Sequence, residues 1–484
     1  MSGSEEDDPW GFVSARAAKP VADASDGDQA AAGDTLDSAQ PTAPRQRGEL
    51  RAEMATSSLK SRAWPMAVAL AVIFFAGFVT EVVASSQMIA LAGTGSLLII
   101  FPLGGVALIL LSLVQFRLVD GAARLKVIRY AMLADAIAFA IAMACFAGGF
   151  APLIAIGLIW LLADQLNYLL PLLIWSLAGD EFNVAEGRKI FGWLVTWTYV
   201  GQIAGLVVAL VAPALLGQRG IPLSVLLIVA PVVCLGIAIL LPRALRNSSA
   251  ATGTARRESF TESIKGAADF INGVPVWRSL MAASTLSFIA GSIVIMGYSV
   301  GVGNLLGRDA QSLQVLFAAT WILALGTCWA LQHFFAEKIA ERWGIAKMLF
   351  ILPVATLVAA IAVGLGSTLG SIAFLVVAIT VWRIPRWSLD ENARRGALAL
   401  VPDQRRTRVS FLMDLLPVAA GLVIATPIVA LGVLGGLVWL PASIAIVIAV
   451  VAIHFSRKVV KGWDASLENW RLRRRKQNRA IDFS

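Results

Sequence analysis

Ionisable side chains are scarce in the long apolar stretches of this chain, so the few that occur there mark where chemistry could be done. Glu81 stands in the first such stretch. Asp164 stands in the fourth, followed at once by Gln165, Asn167 and Tyr168. At helical spacing Asp164, Asn167 and Tyr168 fall on one face. The fifth stretch adds Trp197, Tyr199 and Gln202, and the tenth carries Trp382-Arg383-Ile384-Pro385-Arg386-Trp387. A charged side chain at the centre of a bilayer costs about 2.5–3.5 kcal/mol on insertion scales. Such groups therefore face a cavity, pair with one another, or handle a solute. A carboxyl held away from water can take up and release a coupling proton, which is the role open to Glu81 and Asp164. The plainer alternative is that each is satisfied by hydrogen bonds and fixes helix packing. Arginine presents a planar fork of donors suited to carboxylate or phosphate. Arg383 and Arg386 thus either pair with Asp164 or bind an anionic group of a solute. Alternatively, the tenth span ends near Trp382 and both arginines are anchors at the membrane surface.

The elements that must position these residues are set by composition. Hydrophobic residues make up 58% of the 484 and charged ones only 15%, where soluble domains are about one quarter charged. Beyond Arg62 the charges gather in short clusters separated by runs long enough to cross hydrocarbon, which takes about 20 apolar residues. We place spans at 64–90, 96–116, 130–149, 152–179, 191–216 and 221–241, then 279–304, 312–335, 348–366, 368–391, 409–432 and 437–456. The expected fold class is an all-α polytopic membrane protein of about twelve transmembrane helices, in two six-helix bundles at 63–241 and 279–456.

Cations sort the loops. Arg117, Arg124, Lys126, Arg129, Arg188, Lys189, Arg243, Arg246, Arg256, Arg257, Lys338, Arg342, Lys347, Arg394, Arg395, Arg405, Arg406 and Arg408 lie in alternate loops, and the other loops carry only Arg219, Arg308 and Asp309. By the positive-inside rule both termini are cytoplasmic, in a bacterial inner membrane. The net charge of +9 is thus an orientation signal and not a nucleic-acid footprint. Residues 1–62 read as a disordered cytoplasmic tail, acidic at Glu5–Asp8 and basic near Lys60. Between the bundles, 242–278 reads as a linker in which Phe260, Ile264, Ala267 and Ile271 form an interfacial helix. Trp463, Leu467 and Trp470, before Arg473–Lys476 in the basic tail 457–484, suggest a second one.

The two halves echo one another. Asp120 in Leu118–Lys126 and Glu341 in Ile339–Lys347 stand 221 residues apart (120 to 341), and Glu186–Lys189 and Gln404–Thr407 stand 218 apart (186 to 404). Helices with glycines, Gly205 and Gly421, follow the second pair. At the offset of 218, Arg383 falls on Gln165 and Arg386 on Tyr168, so a pseudo-twofold would bring Asp164 and the arginines to one cavity. Ala340-Glu341-Arg342-Trp343-Gly344 resembles the loop motif of the major facilitator superfamily, and in the first half Asp120 and Arg124 match it. Trp175–Asp180, Gly187–Gly192, Ala393–Leu398, Arg406, Arg408, Val409 and Asp414 resemble the branch containing ATP:ADP antiporters. That branch carries cations in its first span, whereas this chain has Glu81 and no cation between Trp64 and Phe116.

The resemblance implies alternating access between two bundles; Asp120, Arg124, Arg188, Glu341, Arg342 and Arg394 either form the ion pairs of a cytoplasmic gate or serve only as topological anchors. Cys145, Cys234 and Cys328 lack metal-type spacing, His333 and His454 stand at helix ends, and no phosphate-binding loop, His-Glu-x-x-His or Ser/His/Asp set is present. The expected function is a secondary transporter of a small polar or anionic solute, proton-coupled or an exchanger. It needs no cofactor, metal or nucleic acid, its partners are the solute and the lipid bilayer, and its oligomeric state is open. The alternatives are a non-transporting scaffold or assembly factor, or a lipid transporter.

Overall fold

A computed structural model describes residues 44–119, 124–182, 184–245, 260–398, 400–401 and 403–481. Met1–Arg62 form one unit and Ala63–Ser484 another, and the packing described below lies within the second. Among the described residues there are helices and no strands. The bilayer offers the backbone no hydrogen-bond partners, so a chain this apolar must satisfy its amides internally.

The first six spans are α1 (Pro44–Ala92), α2 (Leu97–Val119), α3 (Arg124–Ala147), α4 (Pro152–Asp164) continuing into α5 (Leu170–Glu181), α6 (Val184–Gly217) and α7 (Val229–Ala244). A separate α8 (Phe260–Gly273) precedes the last six: α9 (Pro275–Leu306), α10 (Ala310–Phe334), α11 (Ala336–Leu369), α12 (Ile372–Pro385) continuing into α13 (Glu391–Leu398), α14 (Asp403–Leu434) and α15 (Leu440–Ile481). Among the described residues, twelve helices are long and apolar enough to cross a membrane.

Several boundaries differ from the sequence reading. The segment read as a disordered tail is helical from Pro44 onward. A helix forms where one was expected at 260–271, as α8, burying Ala267 and Ile271. The second one does not form separately, because α15 runs unbroken past Trp463, which is buried. Nearby Gly462 approaches Val276 so closely that a Cβ would lie 2.8 Å from Cγ2. The tenth span does not stop near Trp382 but runs Ile372–Leu398. Gly344, last residue of the loop motif, breaks α11 with φ 69° and ψ 166°, a conformation that L side chains adopt only under strain.

Small residues let the helices meet at backbone distance. In α6, a Cβ on Gly201 would lie 2.0 Å from Ala71 O of α1, and one on Gly205 2.5 Å from Phe75 O. In α14, a Cβ on Gly421 would lie 2.8 Å from Phe288 O of α9. The fifth span thus seats on the first as the eleventh seats on the seventh, and the halves repeat in packing as well as in order. Between halves, α2 packs on α14 and α6 on α10, where the buried Gln314 donates to Ala209 O at 2.7 Å. Thr94 donates to Asn304 at 3.1 Å.

Asp309 caps α10 by accepting from Gln311 N at 3.1 Å and from the Ser312 hydroxyl, and these bonds hold its carboxyl below the usual range. Asp309→Ala is expected to cost about 0.5–2 kcal/mol in thermal unfolding. A depressed carboxyl stabilises above its unfolded value and loses that contribution as pH falls through the folded one. The difference from wild type should therefore shrink below about pH 4.

Candidate functional site

The site begins with two irregular turns. The fourth span is interrupted by a π-helical turn at Gln165–Leu169 and the tenth by another at Arg386–Asp390, 221 residues later (165 to 386). The offset at the site is thus that of the loop acids, three residues longer than the one used to superpose the arginines on the fourth span. A π turn inserts one residue and is costly, so it persists mainly at functional positions. In the tenth span Pro385 also lacks an amide hydrogen, and α10 supplies donors to the disturbed backbone. The Cys328 thiol lies 3.6 Å from Ile384 O, and Gln332 donates to Trp387 O at 3.0 Å.

The two turns face a central cavity. Its walls include Glu81 of α1, Phe101 and Gly104 of α2, Trp160, Asp164 and Tyr168 of the fourth span, Phe288, Ser292 and Tyr298 of α9, Trp321 of α10, and Trp382, Arg383, Arg386 and Trp387 of the tenth span. A Cβ on Gly104 would lie 3.3 Å from Asp164 Oδ2, so that glycine leaves room for the carboxylate. Tyr168 is 48% exposed although it sits deep in the protein, because it presents its ring to the cavity.

Arg383 is 5% exposed. Its guanidinium carbon lies 3.1 Å from the centroid of the Trp321 ring and 4.9 Å from that of Trp387. Stacking on an indole stabilises a desolvated guanidinium by about 2 kcal/mol. It leaves the N–H edge free, and Nε and Nη1 meet no acceptor among the described residues. Arg386 differs. It lies over the Phe288 ring at 4.6 Å, with Asp390 at 3.7 Å and Glu391 at 4.0 Å as counter-charges. Neither arginine ion-pairs with Asp164, contrary to one of the two sequence alternatives.

Of the residues singled out from sequence, Glu81, Asp164, Tyr168, Arg383 and Arg386 share the cavity. Asn167 does not line it. It donates to Glu81 Oε2 at 2.7 Å, and its Oδ1 lies where a Cβ of Gly77 would be. Gln165, Trp197 and Gln202 lie off the cavity as well. Trp197 joins Trp64 and Trp193 in an aromatic cluster, and Gln202 buries an oxygen that has no partner among the described residues.

Two of the six expected gate charges, Arg124 and Arg394, form pairs within their own half. Arg124 pairs with Asp180 at 2.8 Å and donates to Ser176 O at 2.7 Å, tying α3 to α5. Arg394, 3% exposed, pairs with Asp390 at 2.9 Å and Asp414 at 2.8 Å, tying α13 to α14. Arg342 is exposed. Asp120 and the side chains of Arg188 and Glu341 lie outside the described residues.

Sequence reasoning missed Trp321, Phe288 and Tyr298, because an aromatic residue in an apolar run carries no charge signal. It also passed over Asp135, which is buried in α3 with Oδ2 unpartnered among the described residues, away from the cavity.

No protein-family model and no curated protein matches the chain. Solved structures do. A POT family transporter in complex with a thioalcohol-conjugated peptide has a TM-score of 0.59 at 14% identity, over 81% of this chain and 96% of that one. The nucleoside transporter NupG has a TM-score of 0.57 at 15% identity, over 82% of this chain and 99% of the other. A bacterial homologue of the human lysosomal transporter Spinster, inward-facing and unoccupied, has a TM-score of 0.56 at 14% identity, over 84% and 98%. With twelve spans, paired π turns and a cavity between its halves, the chain has the fold of major facilitator transporters.

Proposed function

We propose that the protein is a secondary transporter that moves a small polar or anionic solute by alternating access. The observation that carries this reading is one cavity in which charged groups of the first six spans, Glu81 and Asp164, meet charged groups of the last six, Arg383 and Arg386. A solute held by both halves couples their relative motion to its own binding. The structural neighbours support it, being peptide, nucleoside and lysosomal-type transporters. Those structures lend nothing to the ATP:ADP antiporter branch, and with Glu81 in place of first-span cations we do not carry nucleotide forward as the solute.

The cation-bearing loops and both termini face the cytoplasm of a bacterial inner membrane in this reading. The Arg124–Asp180 and Arg394–Asp390–Asp414 pairs stiffen the cytoplasmic ends of each half, and Asp120, Arg188, Glu341 and Arg342 complete the gate. A protonatable carboxyl at Asp164 or Glu81 serves as the coupling site. Flux in proteoliposomes tests the whole reading, since a scaffold moves no solute and a lipid transporter moves only lipid. Under an imposed pH gradient, Asp164→Asn is expected to lose the acceleration of uptake by protons. Wild-type pH dependence in that variant would remove Asp164 from coupling.

A further inference from the structure

We infer that the transported solute is a compact zwitterion, with a carboxylate for Arg383 and a protonated amine for the wall formed by Asp164 and Glu81. This rests on the transport reading above and narrows its solute.

The charges of the cavity do not cancel pair by pair. Arg386 Nη1 also makes no hydrogen bond among the described residues, but carboxylates at 3.7 and 4.0 Å offset its charge. Arg383 has none within 4.0 Å, and two of its donors, though buried, meet no acceptor among the described residues. Buried polar groups in native proteins are otherwise nearly always hydrogen-bonded. The Trp321 indole covers one face of the guanidinium, and the donors without an acceptor, Nε and Nη1, lie along its edge. A planar carboxylate meets such an edge with two parallel hydrogen bonds.

The opposite requirement comes from the fourth span and α1. Glu81 accepts one hydrogen bond from a neutral amide, and Asp164 lies at the cavity wall with no cation within 4.0 Å among the described residues. A plain anion would satisfy Arg383 but would be repelled by these carboxyls in a poorly screened interior. A plain cation would suit the carboxyls and leave Arg383 unmatched. A doubly charged phosphate would deepen the excess of negative charge. A solute with one charge of each sign answers both walls and adds no net charge. Phe288, Tyr298, Trp321 and Trp382 favour an apolar or aromatic body between its ends.

The test uses the purified full-length chain and three compounds sharing a phenylethyl body: L-phenylalanine, 3-phenylpropionate without the amine, and phenethylamine without the carboxylate. Glycine, L-tryptophan and glycyl-L-phenylalanine are run with their own des-amino and des-carboxy counterparts. Binding is read from tryptophan fluorescence, which Trp160, Trp321, Trp382 and Trp387 place at the cavity, and uptake is read in proteoliposomes. In at least one set the zwitterion should bind about 10- to 100-fold more tightly than either singly charged analogue. Arg383→Gln should reduce the zwitterion to the level of the amine while leaving the amine unchanged. Asp164→Asn should reduce it toward the level of the acid. If a variant does not fold, the analogue series on the unaltered protein still decides. Singly charged analogues that bind and move as well as the zwitterion in every set overturn the inference but leave a transporter. No binding or uptake of any zwitterion, anion, cation or neutral solute overturns the transport reading with it.

Discussion

Arg383→Ala is expected to lower solute uptake by about 100-fold or more without lowering thermal stability. Hydrogen bonds to a charged group contribute about 1.5–3 kcal/mol each, and a carboxylate on the guanidinium edge would make two. The protein itself has little to lose. The stacking on Trp321, worth about 2 kcal/mol, disappears. Against that, removing a buried cation with no partner relieves a desolvation cost of several kcal/mol. Uptake and melting temperature should therefore part company. Arg383→Lys should not restore uptake, since an ammonium has neither the planar face that lies on the Trp321 indole nor the edge that meets a carboxylate. Full uptake in Arg383→Ala would mean that the arginine only shapes the cavity wall.

Gly201→Val should have the opposite profile, preventing a folded product altogether. A Cβ there would lie 2.0 Å from Ala71 O and 2.7 and 2.9 Å from Ala71 C and Cα. All three are backbone atoms of α1, so no side chain can turn aside and the helices must separate. Overpacking against movable side chains costs about 1–3 kcal/mol, and an immovable neighbour should cost more. Gly205, one turn on, has the same relation to Phe75 O, so the whole contact would open. Gly236→Ala is the control, because a Cβ there meets nothing within 4 Å. Alanine in a helix is favoured over glycine by up to about 1 kcal/mol, so that variant should match wild type or exceed it. The monodisperse fraction on size exclusion, followed by melting, checks both. A well-folded Gly201→Val would show that the first and fifth spans are not seated backbone to backbone.

The spans were legible in the sequence because twenty apolar residues in a row have few other fates, and their order follows from the loops. The meeting of Asp164 and Tyr168 with Arg383 and Arg386 was legible too, since ionisable groups within spans must turn inward and the offset between halves brings these together. Asn167 and Gln165 were less so. Asn167 was placed by counting 3.6 residues per turn, and the π turn that begins at Gln165 alters that count; Gln165 was placed by adjacency to Asp164 and by the offset of 218, whereas the π turns are 221 apart. Trp197 and Gln202 failed for another reason. A polar or aromatic residue on a helix has several neighbours to choose from: Trp197 packs on Trp64 of the first span, and Gln202 buries an oxygen without a partner among the described residues. Trp321 could not have been found by charge, because what qualifies it is its position over Arg383, which only the packing of α10 on the tenth span reveals.

The paired π turns have one more consequence. Each adds a residue to its span, and one residue of helix corresponds to a rotation of about 100°. The stripe that looks into the cavity before the turn is therefore out of phase with the stripe after it, and Arg394 points at Asp414 instead of into the cavity. The same helix can thus hold a ligand with one half of its length and brace its neighbours with the other. Were such a turn to slide along its helix, one side chain would swing in as another swung out, so that a rigid rod could act as a rotary detent between two orientations.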